Sequence, residues 1–313
     1  MPSRVLVLGS RGFLGRHVVA ALRDDEAFEP VRHVRISDGP ADDGAFALDL
    51  ALATSDDVQQ LIDAAEPDAV INCVGRTGGT PPELHAINVA LVETLLDALG
   101  NRQSVRLVHL GSAAEYGDTG NGIAVPETAV PRPASRYGST KLAASLLVQT
   151  AARMGRVSGV VLRVFNPVGA HAPAAGLPGR LAAELRAAPR LGDGTVNVGS
   201  LAAHRDFIDA RDVATAALAA TGDPSASGAI FNVGRGEAVM CRDLAAMLVE
   251  ASGRNITLVE DGEQSSRSAA VSWQQADITA ITGRFSWRPS HSLEDAVGRL
   301  WAAAADASVA VAR

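Results

Sequence analysis

The chain has 313 residues, 47 % of them hydrophobic and 20 % charged, enough for one large domain or two coupled ones around a substantial core. Its formal net charge of −7 disfavours non-specific binding to nucleic acid or an anionic membrane, so any phosphate it holds must meet a local positive site. Two cysteines, Cys73 and Cys241, make neither a disulfide framework nor a metal site alone, no apolar run approaches the 18 or so residues of a membrane span, and Val5–Leu8 is too short for a signal peptide; a cytoplasmic protein without metal is expected.

In chain order, short apolar runs alternate with helical spacing, the pattern of a parallel sheet with helices on both faces. Strands are predicted at Val5–Leu8, Val31–Ile36, Ala69–Cys73, Arg106–Leu110 and Val160–Val164, with a third short strand before Asp49. Helices are predicted over 13–23, 55–65, 83–99 and 138–153, the second starting at Ser55 ahead of two aspartates that favour a helix N-terminus. Beyond Asn166-Pro167 the composition turns to Gly, Pro and Ala, with helices at 179–187, 209–221, 242–252, 274–282 and 292–305 and a strand at Ala229–Val233. No repeat or long linker appears, so the second region is expected to pack on the first.

Gly9-Ser10-Arg11-Gly12-Phe13-Leu14-Gly15 follows the first strand and opens the first helix. Its Gly-x-x-Gly-x-x-Gly spacing suits a tight turn, backbone approach to a pyrophosphate and close helix–strand packing. Asp38 closes the second strand; an acid there bonds the adenosine ribose hydroxyls and favours NAD. Arg11 and Arg35 instead suit a 2′-phosphate, so NAD(H) and NADP(H) both stay open. Asp49 is a candidate to face the adenine, although it also fits as a plain loop residue, and the adjoining Leu50 is a further cofactor-binding candidate.

One count matters more than the rest. Of 28 basic residues only Lys141 is a lysine, and it stands four positions after Tyr137, one of two tyrosines. That spacing puts both on one helical face, where an ammonium stabilises a phenolate and brings a phenol with pKa near 10 toward neutral pH. Ser112 lies just past the strand ending at Leu110, and open parallel sheets bind ligands beyond the carboxyl ends of their strands. Its hydroxyl is placed to donate to a substrate carbonyl beside the tyrosine.

Taken together, Gly9 to Gly15, Asp38, Asp49, Ser112, Tyr137 and Lys141 resemble the extended short-chain dehydrogenase/reductases, the nucleotide-sugar epimerases, dehydratases and reductases. Pro67–Asn72, Asn88, Arg163–Gly169, Arg205–Asp209, Phe231–Gly234 and Trp287-Arg288-Pro289 extend the likeness over nearly the whole chain. The resemblance implies an α/β fold, a doubly wound parallel Rossmann-type sheet with a smaller C-terminal substrate-binding region. It divides the chain into a dinucleotide domain, 1–166 with 205–233 returning to it, and a nucleotide-sugar region of 167–204 and 234–313. It implies an NAD(P) cofactor, with Ser112, Tyr137 and Lys141 as catalytic residues and the lysine on the nicotinamide ribose. Asn166 and Arg205 would touch the nucleotide sugar, Arg267 is either a second phosphate contact or a solvated arginine, and a homodimer through the helices around 83–99 and 134–153 is expected.

Dehydratases of this kind carry acids directly after the serine, where Ala113 and Ala114 stand here and the acid comes only at Glu115. The segment Leu110–Gly117 and the stretch Val196–Phe207 resemble GDP-4-keto-6-deoxymannose reductases, although Ala114 replaces a glutamate of theirs. Reduction of a 4-keto sugar nucleotide is therefore the expected activity, with a 4-epimerase holding NAD tightly as the alternative. A non-catalytic dinucleotide-binding regulator fits less well, because serine, tyrosine and lysine are all present.

Overall fold

A computed structural model describes residues 1–36, 45–100, 102–120, 122–188, 194–260 and 271–310, without the side chains of 304–310. Val5, Leu6, Val7 and Leu8 have no exposed surface, because strand β1 (Ser3–Leu8) runs through the middle of a sheet covered on both faces. Each such apolar side chain contributes roughly 1.5–3 kcal/mol by leaving water. Helix α1 (Phe13–Arg23) returns the chain to β2 (Phe28–Val34), and β3 (Ala45–Ala47) adds the edge strand. Helix α2 (Ser55–Ala65) is capped by Thr54, one residue earlier than the sequence suggests, through a reciprocal capping box with Asp57.

After β4 (Ala69–Asn72), α3 (Pro81–His85) and α4 (Leu91–Leu99) are joined by a π-helical stretch at Ala86–Ala90. Strand β5 (Arg106–Ser112) runs two residues further than its apolar run, so Ser112 is its last residue. A 3-10 turn at Ala113–Glu115, short strand β6 (Ala124–Val125), helix α5 (Arg136–Arg153), β7 (Ser158–Val164) and β8 (Asn166–Val168) follow. The remainder comprises α6 (Leu177–Ala187), β9 (Gly194–Val198), β10 (His204–Arg205), β11 (Phe207–Asp209), α7 (Ala210–Thr221), β12 (Ile230–Val233), β13 (Val239–Met240), α8 (Cys241–Ser252) and β14 (Ile256–Glu260). It ends with β15 (Trp273–Ala276), α9 (Thr279–Phe285) and α10 (Leu293–Ala310).

The main sheet has seven parallel strands in the order β12-β7-β5-β4-β1-β2-β3. This is the expected doubly wound α/β arrangement, with the strand order reversing between β1 and β4. One core layer joins α1 and α7 to the sheet, and a second joins α2, α4 and α5 to its other face. A third cluster unites α6, α8 and α10 with β9. The helix expected at 274–282 is a correction. Residues Trp273–Ala276 instead form β15, pairing in parallel with β10 and β6, and a helix begins only at Thr279. Tertiary pairing outweighs the helical preference of glutamine and alanine there.

Candidate active site

A cavity of about 990 Å³ opens beyond the carboxyl ends of β1, β4, β5 and β7, the crevice that this topology offers a ligand. Its wall begins with Gly12, Phe13 and Leu14 of the glycine loop. Gly9 takes a φ of +74°, and Gly12 N donates to Gly9 O at 2.9 Å, closing the turn. A Cβ on Gly15 would stand 2.1 Å from Gly9 O and 2.9 Å from Ser10 Cα, both backbone atoms. Only glycine lets the helix start this near the loop, a cradle that fits a dinucleotide pyrophosphate. Gly15→Ala is therefore expected to weaken NAD(P)H binding at least tenfold (~1.4 kcal/mol) in a fluorescence titration; wild-type affinity would show that the loop relaxes without harm.

His33, which sequence reasoning missed, fastens this loop. Its Nδ1 accepts from Gly9 N at 3.3 Å, so its Nε2–H donates to Leu48 O at 2.8 Å, and Ser10 Oγ donates to His33 O at 2.7 Å. The only signal for it was a histidine inside an apolar strand. Arg35 is exposed at the end of β2, and Arg11 is half-buried in the loop. Asp49 accepts from Ala51 N at 3.1 Å within its own turn, while Leu50 is buried in the core beside Leu6 and Leu8. These four, with Gly9 and Gly15, stand outside the cavity wall. Asp38 and Arg267 lie outside the described residues.

Ser112, Tyr137 and Lys141 all line the cavity. Ser112 caps the 3-10 turn, its Oγ accepting from Ala114 N at 3.2 Å. Helix α5 starts on Ser135, whose Oγ accepts from Gly138 N at 3.1 Å. A Cβ on Gly138 would lie 2.3 Å from Ala114 O, so this glycine lets the first turn of α5, carrying Tyr137, close on the turn after Ser112. The π-helical stretch braces the same place: Asn88 Nδ2 donates to Thr140 Oγ1 and to Arg76 O, each at 2.9 Å, and Asn88 Oδ1 accepts from Arg76 N. Lys141 is 3 % exposed and donates to Leu110 O at 2.6 Å. Burial pulls its ammonium down to about 8, against opposing pulls from Glu115 and Cys73.

Glu115 does not reach the cavity. It is fully buried, with Oε2 accepting from Arg163 Nε at 2.7 Å and Oε1 accepting from Ser112 N and Ser145 Oγ, each at 2.8 Å. The Arg163 guanidinium also covers the Tyr116 ring, 4.5 Å from its centroid. Tyr116 donates to Asn232 Oδ1 at 2.7 Å, and burial pushes its phenol up to about 12. The second tyrosine is thus a structural one.

On the far side of the cavity, Asn166 Nδ2 donates to Asp206 O at 3.0 Å, and Arg205 donates to His204 O and Val271 O, each at 2.7 Å. Both side chains still border the cavity, so it runs from the glycine loop past Tyr137 to a buried guanidinium. Cys73 and Cys241 also border it as free thiols, pushed up by burial to about 12 and about 11. Among the described residues no group of His, Cys, Asp and Glu could hold a metal ion.

Residues 5–234 match the model of the NAD dependent epimerase/dehydratase family. The chain belongs to that family. It is 37 % identical to the dTDP-6-deoxy-L-talose 4-dehydrogenase (NAD(P)(+)) of Kitasatospora kifunensis over 99 % of this chain and 98 % of the relative. It is 28 % identical to the GDP-6-deoxy-D-mannose reductase of Pseudomonas aeruginosa over 95 % of each. The structure of RMD from Pseudomonas aeruginosa complexed with NADPH superposes with a TM-score of 0.80 at 23 % identity, covering 96 % of this chain and 98 % of that one. As an epimerase/dehydratase family member the chain is an NAD(P)-dependent enzyme, and the glycine cradle is where its residues fit the dinucleotide. No helix among the described residues is long and apolar enough to cross a membrane.

Proposed function

We propose that the protein reduces the 4-keto group of a 6-deoxy nucleotide sugar. The observation that carries this reading is the meeting of Ser112, Tyr137 and Lys141 on one cavity whose neighbouring positions, Ala113 and Ala114, hold no acid, while Glu115 is sealed behind the serine. NAD(P)H, when bound, supplies the hydride. Ser112 Oγ–H holds the carbonyl oxygen, the Tyr137 phenol gives its proton to the oxygen as it becomes an alkoxide, and the Lys141 ammonium stabilises the phenolate that remains. Gly9 to Gly15 with Phe13 and Leu14 take the dinucleotide, Arg11, Arg35, Asp38, Asp49 and Leu50 surround its adenosine end, and Asn166, Arg205 and Arg267 take the nucleotide-sugar diphosphate. Residues 1–166 and 205–233 form the dinucleotide half, and 167–204 with 234–313 the substrate half. Support for C4 comes from the relatives, whose names specify a 4-dehydrogenase and a reductase of 6-deoxy sugars.

Purified protein given NADPH or NADH and 4-keto-6-deoxy nucleotide sugars (dTDP and GDP forms) is expected to consume the nicotinamide absorbance with one of them. Inversion of a sugar at C4 without net oxidation of cofactor would overturn reduction in favour of epimerisation, the activity named for the UDP-glucose 4-epimerase of Pisum sativum, 28 % identical. The enzyme works as a homodimer through the outer faces of α4 and α5, where Leu146 is 46 % exposed. Its two free cysteines suit a reducing cytoplasm.

A further inference from the structure

Behind Lys141, away from the cavity, stands a buried pair that the catalytic scheme does not use. His109 of β5 and Asn72 at the end of β4 are each 1 % exposed. Asn72 Oδ1 accepts from Val74 N at 3.0 Å, which fixes the amide and leaves Nδ2 facing His109 Nδ1 at 3.2 Å. An amide N–H aimed at Nδ1 requires a bare lone pair there, so the neutral imidazole carries its proton on Nε2. That nitrogen lies 3.5 Å from Lys141 Nζ. An ammonium has only N–H groups to offer an N–H, whereas a neutral amine has a lone pair to receive it and still donates to Leu110 O.

We propose that His109, fixed by Asn72, is a positioning residue that governs the charge of Lys141 by offering Nζ a donor instead of an acceptor. The groups facing Nζ are His109 and Leu110 O from β5, with Cys73 beyond β4 and Glu115 of the 3-10 turn acting on its charge; Tyr137 stands one turn earlier on the same helix. Glu115, which is shared with Arg163 of β7, and the Cys73 thiol, itself pushed up by burial, both pull the ammonium upward, but burial outweighs them. Burial and the nearby lysine also push His109 well below the usual imidazole range, which keeps it neutral. Burial pulls the Lys141 ammonium down to about 8, so a basic limb of the proton-transfer step is expected near that pH.

A variant that accepts from the ammonium keeps Lys141 charged to higher pH, and the basic limb of kcat moves upward with it. His109→Gln can turn its amide oxygen to Nζ. Asn72→Asp accepts from His109 Nδ1–H, which moves the imidazole proton and leaves Nε2 as an acceptor. Because Lys141 is the chain's single lysine, lysine-selective isotopic labelling gives one side-chain resonance whose titration reads this charge alone. Wild-type protein is expected to titrate near 8, and both variants at least one pH unit higher (tenfold in proton affinity), with the basic limb of kcat moving by the same amount and the KM for cofactor little changed. A wild-type midpoint at the ordinary lysine value, or variants that titrate with the wild type, overturns the proposal. Should the variants not fold, nitrogen-15 spectra of histidine-labelled wild type decide it, His109 being identified by its proximity to the lysine ε-methylene. A bare Nδ1 with protonated Nε2 supports it, and the reverse tautomer sinks it. The inference rests on the assignment of Lys141 to the catalytic site, but these titrations use no substrate, so their failure leaves that assignment standing.

Discussion

Changing Tyr137 to Phe is expected to lower kcat on the keto nucleotide sugar by about two to four orders of magnitude, the range typical of a lost general acid. The phenol lines the same cavity as Ser112, and Gly138 lets the first turn of α5 close on the turn after Ser112 by leaving no Cβ against Ala114 O. The ring itself stays, so the Kd for NAD(P)H measured by fluorescence is expected to remain within about twofold, since only a hydroxyl has gone. The control is Tyr116→Phe. It removes the bond to Asn232 at the centre of a buried cluster and is expected to cost about 1 kcal/mol of stability with turnover changed less than tenfold. Turnover that survives in the Tyr137 variant and collapses in the Tyr116 variant would exchange the roles of the two tyrosines.

Much of this architecture was legible in the sequence because the main strands are buried on both faces and read as continuous apolar runs. The pair Tyr137–Lys141 was legible for a different reason, since a lone lysine among 27 arginines stands out wherever it falls. What stayed hidden are the polar groups that work through tertiary contact. His33 and His109 look like interruptions of β2 and β5, and nothing in the spacing says that one anchors the glycine loop and the other backs the lysine. Strand β15 was read as helix because Gln-Gln-Ala has no strand signature until β10 and β6 flank it. The burial of Leu50 in one cluster with Leu6 and Leu8 is likewise a tertiary matter that its place after a short edge strand does not announce.

The acid at Glu115 marks the limit of sequence reading most clearly, because spacing alone cannot tell a catalytic carboxylate from a structural one. Here both oxygens are taken by Arg163, Ser145 and the Ser112 peptide, and the ion pair is almost wholly buried. Removing one partner of such a pair leaves an uncompensated charge. Glu115→Ala is therefore expected to cost about 3–5 kcal/mol and to lower Tm by on the order of 10 °C in thermal unfolding followed by circular dichroism. Glu115→Ala combined with Arg163→Met should recover much of that loss, since the buried charge is then gone from both sides. Activity separates structure from chemistry. In the double variant, assayed well below its melting point, kcat is expected to fall only as far as the Ser112 peptide loses its acceptor, less than the loss on removing the tyrosine hydroxyl. A stable Glu115→Gln protein with no turnover at all would contradict this and restore the carboxyl as a proton-transfer group. With Glu115 held by Arg163 and alanines at 113 and 114, these three positions offer no free carboxylate to remove a second proton, which agrees with the proposed reduction over loss of water.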